Sequence, residues 1–531
     1  MKKVVTKIVL FALCLTLLIP ALASAAVPST EGSKANLRSK LGNILGEHAL
    51  LAVIAMQKGY DKAGDFDQAA AALLENSDSL TAAIASVYGE EAGEAFKPIW
   101  NSHIGYLVDY VKATVAGDEP GRTKAFGALD SYSVEQARFF AKANPNLVEA
   151  DVTNDLRMHI RHLLAAFSAY VNKDYTEVYN AARTAYAHMY MTADGLTAAI
   201  VKQNPDKYPQ GDATETASTL RSVLERTLGE HGILAALAMQ KGFSGAADFD
   251  QAAAALLKNS DELTAGISTI YGEAAGDAFK PIWNSHIGYL VDYVKATAAK
   301  DETKRQKAVS DLEEYRTKQA KFFADANPNF KENQIAEGLK MHIGHLLESF
   351  NAYASNNTYS TAYAKLRTTY AHMAMTGNEL AGGVVAQFPE LFSSNEQPST
   401  EPPTSQKDVI VFTEGSRYFT NDGESVAMDI TPEVVNGKVF LPLRYLAEAL
   451  GATVSWDPTD RSATTITIDD TTAVFWIDNN IMQLNGTSKD VGSIVHLYGE
   501  RTVVPAQFLA DLFGWDLTWN SAKGTITLTE K

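Results

Sequence analysis

Ten of the eleven histidines in this chain fall into five pairs, one member in each half of a duplication: His48 with His231, His103 with His286, His159 with His342, His162 with His345 and His188 with His372. Only His496 stands alone. Around residues 148–200 the two copies have drifted widely. Even so, Met158-His159-x-x-His162 and Tyr186-Ala187-His188-Met189-x-Met191 reappear as Met341-His342-x-x-His345 and Tyr370-Ala371-His372-Met373-x-Met375. His159 and His162, three residues apart, share one helical face, and His159 lies on the stripe of Leu156, Leu163 and Phe167. His48 and His103 also fall on apolar stripes. Four or five imidazoles are therefore expected to point into the interior of each copy.

A buried imidazole needs a partner for each ring nitrogen, and a metal ion or a carboxylate can serve. The set points to a transition-metal site in each copy, with Glu47, Glu230, Asp109 and Asp292 as retained acids suited to ligation or to orienting a ligand. Copper, zinc and iron are all open. The nearby methionines, in a chain without structural thiols, lean towards copper, because thioether is a soft ligand. Haem held by paired histidines, or by His and Met, is a further reading. A hemerythrin-type di-iron centre fits less well, since Asp155 becomes Gly338 and Asp194 becomes Asn378 in the second copy. The alternative is that the histidines and tyrosines such as Tyr170, Tyr186, Tyr353 and Tyr370 simply hydrogen-bond across a core that the methionines fill. No nucleophile elbow, P-loop, dinucleotide fingerprint or HExxH motif is present, so no catalytic residue is assigned.

These histidines must be held by helices. The run AFKPIWNSHIGYLVDYVKAT occurs as Ala95–Thr114 and again, letter for letter, as Ala278–Thr297, which marks a duplicated unit of about 170 residues. The first copy is expected over 36–205 and the second over 219–389, with a polar linker at 206–218. Leu37, Leu41, Ile44, His48, Leu51 and Ala55 recur at helical spacing. Breakers near Gly64, Gly89, Gly117 and Pro145 cut each copy into about six helices, so two similar all-α antiparallel bundles are expected. Residues 392–407 are Pro, Ser, Thr and Glu with almost nothing apolar and read as an extended linker. Beyond them the period changes to short β-branched and aromatic runs with two amphipathic helices, Leu443–Leu450 and Ala506–Phe513, which is the pattern of a small α+β domain over 408–531.

The segment Val435-Asn436-Gly437-Lys438-Val439-Phe440-Leu441-Pro442-Leu443-Arg444, continuing YLAEALGATVSWD, resembles the copper amine oxidase N-terminal-like, or stalk, domain family of bacterial envelope proteins. A half-repeat follows, with Pro505, Gly514 and Trp519 standing where Pro442, Gly451 and Trp456 stood, and with Gln507 in place of an arginine matching Arg444. The resemblance implies a wall-associated accessory module without the copper and quinone chemistry of the oxidase. Pro442 is expected to start a helix, Gly451 to end it, and Trp456 and Trp519 to plug the core. The duplicated helical part is similar to uncharacterised modules that accompany stalk domains in exported bacterial proteins, which brings no known activity.

Residues 1–25 carry Lys2, Lys3 and Lys7, an apolar run from Ile8 to Ile19, Pro20 and Ala23-Ser24-Ala25, the pattern of a secretory signal peptide too short to span a membrane. Cys14, the one cysteine, lies inside it, so the mature chain is expected to have neither disulfides nor thiolate metal sites. A net charge of −17 argues against nucleic acid as a partner. Together these features point to a secreted, cell-wall-associated protein: non-enzymatic, with metal- or cofactor-binding bundles and a stalk module that contacts an envelope component. A purely structural or adhesive surface protein, and a metal-dependent redox enzyme, are the alternatives.

Overall fold

The computed structural model describes residues 28–209, 215–355, 358–392 and most of 409–530. The expected signal peptide, residues 393–407 of the expected linker, residue 408 and residues 210–214 lie outside the described residues. The chain divides into two compact units, 1–396 and 397–531.

In the first unit, one copy of the repeat forms α1 (Ser33–Tyr60), α2 (Phe66–Tyr88), α3 (Glu90–Ala116), α4 (Glu119–Ala143), α5 (Glu149–Val171) and α6 (Tyr175–Gln203). The other forms α7 (Glu215–Ser244), α8 (Phe249–Tyr271), α9 (Glu273–Ala298), α10 (Glu302–Ala326), α11 (Glu332–Ala354) and α12 (Tyr359–Gln387). The breaks have local causes. Gly89 and Gly272 sit at φ of 95° and 88°, where a side chain is strained, and separate α2 from α3 and α8 from α9. Asp118 and Asp301 cap α4 and α10 by accepting the backbone N–H of Gly121 and Lys304. Consecutive helices pack as neighbours, and α1 touches α2, α3, α5 and α6. Every residue of α1 from Leu45 to Gln57 is buried, as is every residue of α7 from Thr227 to Gln240. A helix apolar all round belongs at the centre, so each bundle is built about its first helix.

The two bundles are not separate bodies, as the linker expected at 206–218 would suggest. They share one core and meet across a pseudo-twofold axis, where contacts come in reciprocal pairs as an isologous interface demands. Arg183 forms two hydrogen bonds to Glu230, at 2.9 and 2.8 Å, and its counterpart Arg367 forms two to Glu47, at 3.0 and 3.1 Å. The hydroxyls of Tyr179 and Tyr363 donate to Asp248 and Asp65, which also hold Lys241 and Lys58. On the axis itself the equivalent residues Tyr186 and Tyr370 meet, hydroxyl to hydroxyl, at 3.3 Å.

Glycine sets how closely these helices approach. A Cβ on Gly46 would lie 2.5 Å from the Tyr190 ring and 2.8 Å from that of Tyr186. In the second copy Ala374 replaces Tyr190, and α12 closes on α7 until a Cβ on Gly377 would lie 2.5 Å from the backbone nitrogen of Glu225. Substituting Gly46→Ala should overpack the joint and cost about 1–3 kcal/mol, read as an earlier denaturant midpoint at unchanged slope.

In the second unit, strand Lys438–Pro442, helix Leu443–Ala449 and strand Thr453–Trp456 are echoed by strand Arg501–Pro505, helix Ala506–Phe513 and strand Trp515–Asn520. Pro442 and Pro505 are the last strand residues before each helix, and Gly451 and Gly514, at φ of 84° and 78°, let the chain turn out of it. All described strand pairs are antiparallel, in one five-stranded and one eight-stranded sheet. Trp515, 8% exposed, plugs the core, whereas Trp519 is only partly buried against it, a correction to the expected plug. The side chain of Trp456 lies outside the described residues. Where Arg444 pairs with Glu448 one turn on, Gln507 makes the same reach to Asp511, so the departure from arginine keeps the local contact.

Candidate metal centre

Three helices bring three histidines together in each copy. His48 comes from the fully buried stretch of α1, His103 from α3 and His159 from α5, and their ligand atoms all lie within 4.8 Å of one another. His231, His286 and His342 repeat the arrangement from α7, α9 and α11. The copies agree closely: the ring centroids of the first two histidines are 5.2 Å apart in both, and those of the first and third are 5.4 and 5.5 Å apart. All six are at most 1% exposed.

The local chain sets one tautomer. The Nδ1–H of His103 donates to the carbonyl of Trp100 in its own helix, and His286 does the same to Trp283. The lone pair of each ring is then on Nε2, facing the first histidine of the trio. The Nε2 atoms of His48 and His103 stand 3.1 Å apart and those of His231 and His286 3.2 Å. A tetrahedral ion held at ordinary metal–nitrogen lengths separates two ligand nitrogens by about 3.3 Å, so these pairs are already near ligating separation. Both ring nitrogens of His159 and of His342, and Nδ1 of His48, have no hydrogen-bond partner in the protein. Buried and unpaired, each such atom costs about 1–3 kcal/mol, so the trio presents donors that something else could satisfy.

Burial also keeps the rings neutral. It pushes His103 and His286 down to about 4, and drives His48, His159, His231 and His342 well below the ordinary histidine value, with neighbouring imidazoles adding to the shift. Neutral imidazole is the ligating form. No ligand of the trio is anionic, so a divalent ion would bring two uncompensated charges into the core and copper(I) only one.

The expected cluster of five resolves into a trio and a pair. His162 and His188 stack edge to face at 5.1 Å, as do His345 and His372 at 5.6 Å. His188 Nε2 bonds the carbonyl of Asp155 at 3.1 Å, and His372 Nε2 bonds that of Gly338 at 2.9 Å. Because the partner is backbone, the loss of the Asp155 carboxylate in the second copy leaves this bond intact.

Two expectations are corrected. Glu47 and Glu230 do not serve the histidines: they are taken by Arg367 and Arg183 across the pseudo-twofold and by Asn76 and Asn259, while Asp109 and Asp292 face solvent. Haem does not fit either, because rings packed at 4.7–6.1 Å leave no slot for a macrocycle between them. Of the methionines, Met189 and Met373 are core residues, while Met341 and Met375 are 49% and 60% exposed.

Residues not singled out in the sequence complete the site. Tyr132 of α4 stacks on His103 at 4.7 Å and Tyr315 on His286 at the same distance, and each hydroxyl is buried without a partner. Gln136 and Gln319, one turn further on, are fully buried with neither amide atom bonded. Trp100 and Trp283 close over His48 and His231 at 4.8 Å. Tyr132 and Gln136 recur as Tyr315 and Gln319 within helices whose surrounding text has diverged, the same signal that picked out the histidines.

No curated protein and no solved structure matches the chain significantly. No helix among the described residues is long and apolar enough to cross a membrane. Residues 420–528, within the C-terminal unit, match the family model of the copper amine oxidase N-terminal domain.

Proposed function

We propose that this chain is an exported, non-enzymatic cell-envelope protein whose two helical bundles each hold one transition-metal ion on a histidine trio, with the C-terminal domain contacting an envelope component. The observation that carries the metal reading is the recurrence, in both copies, of three buried neutral imidazoles whose ligand atoms lie within 4.8 Å of one another, two of each trio having an unpaired ring nitrogen. Imidazole-only coordination suits copper and zinc, and the absence of an anionic ligand favours copper(I). The export reading rests on the signal-type N-terminus, and the envelope reading on the C-terminal domain family.

The second reading, a trio that merely holds the core, is favoured by the 3.1 Å approach of His48 to His103, which is also an ordinary hydrogen bond. Elemental analysis of the untagged protein recovered from its export route, beside a His159→Ala/His342→Ala variant, separates the two. About two equivalents of one metal, lost in the variant, are expected. Metal-free protein that still binds none when copper(I) or zinc is supplied would leave the trio a structural cluster. For the envelope role, the full chain should co-sediment with purified cell wall and a chain ending at residue 392 should not; equal sedimentation of both would remove that role from the C-terminal domain.

A further inference from the structure

The second copy of the repeat contains an apolar cavity of about 120 Å³ between α7, α8, α9, α10, α11 and α12. Its walls are aromatic and branched, chiefly Ile267, Phe279, Trp283, Phe323, Phe330 and Leu380, and His342 of the trio forms part of them. In the first copy the corresponding side chains are packed away: Ile84, Leu156 and Leu196 are 2%, 3% and 8% exposed, whereas their counterparts Ile267, Leu339 and Leu380 are only partly buried. Two substitutions between the copies remove side chains from the cavity's lining, Ala83 becoming Gly266 and Asp155 becoming Gly338. A Cβ on either glycine would meet nothing within 4 Å.

We propose that this cavity is a binding site for a small, neutral, apolar molecule the size of a single aromatic ring. An apolar cavity of about this size accepts benzene-like ligands, and its chiefly hydrocarbon lining offers water few polar partners beside the His342 ring. The lining's two carboxylates, Glu262 and Glu379, are exposed rather than set in the depth, so a charged ligand would lose hydration without gaining a partner. A neutral ring instead exchanges water for contact with Phe279, Trp283, Phe323 and Phe330. An occupant would lie against the His342 ring, whose centroid is 5.5 Å from that of His231 and 6.1 Å from that of His286. The two copies thus differ in access: the second trio is approached through an apolar vestibule, and the same region of the first is filled. The inference rests on packing and stands whether or not the trios hold metal.

Toluene and iodobenzene are the probes, added to the full chain in the presence of a chelator. Toluene should bind with a stoichiometry of one per chain and raise the melting temperature. Gly266→Phe, which grows a ring from a helical glycine into the open space, should weaken it at least tenfold. Because that variant could fold poorly, iodobenzene provides a second readout through heavy-atom quenching of tryptophan emission. The saturable quenching should vanish in Trp283→Phe and persist in Trp100→Phe, its counterpart in the first copy. No saturable toluene binding, or quenching that survives Trp283→Phe, would overturn the assignment.

Discussion

Taking the protein from pH 7 to pH 5 should unfold the helical unit, with the transition centred between about pH 5 and 6, well above the range in which carboxylates titrate. The six trio histidines are neutral in the fold, with His103 and His286 pushed to about 4 and the others well below 6.5. In the unfolded chain the same groups take up protons as pH falls through 6.5. The unfolded state therefore binds more protons between 6.5 and the folded values, and stability falls as pH falls through that window. Each such histidine contributes up to roughly 1.4 kcal/mol per pH unit, so six approach roughly 8 kcal/mol per unit, against a total stability of order 5–15 kcal/mol. Helical ellipticity followed against pH checks this. His159→Leu/His342→Leu, which removes two of the six, should move the midpoint to lower pH. A wild-type midpoint below pH 4 would mean the trio is not held neutral as described.

The second large effect concerns the joint between the bundles. Glu230 is 4% exposed and Glu47 6%. Burial pushes the Glu230 carboxyl up, but Arg183 and Asn259 outweigh it and hold it below the ordinary glutamate range. Removing the arginine leaves a buried carboxylate with too few partners, so Arg183→Met and Arg367→Met should each cost about 3–5 kcal/mol. Adding Glu230→Leu to Arg183→Met should recover most of the loss, because the stranded charge goes with it. Chemical denaturation of the single and paired variants gives the comparison. Equal stability of Arg183→Met and wild type would show that water reaches Glu230.

Much of this was legible before any coordinates. The letter-for-letter run Ala95–Thr114 and Ala278–Thr297 announced the duplication, and glycine and proline punctuation yielded six helices in each copy. Within the trios, His159 and His342 stand out by their survival in diverged text, and His48 and His103 by their place on apolar stripes. What periodicity could not say is which stripes face one another. It placed Glu47 beside His48 and suggested a shared task, but neighbours on a helix point about 100° apart, and the carboxylate turned to the other copy. His162, three positions on from His159 and about 60° round the helix, met His188 instead of joining the trio. The fused core was hidden because its reciprocal contacts, Arg183 with Glu230 and Arg367 with Glu47, join residues 47 and 320 positions apart. Gly46, Glu47 and His48 are read best together: one seats tyrosine rings, one pairs with the arginine of the other copy, and one enters the trio.

The pseudo-twofold joint has the form of a dimer whose subunits share a chain. An association between separate subunits weakens as they are diluted, whereas halves tied by a short connection meet at a fixed effective concentration however thin the solution. Tethering also lifts the constraint of identity. In a true dimer every substitution appears twice; here Tyr190 fills one seat and Ala374 vacates the other, so one half can be reshaped while its mate keeps its own packing.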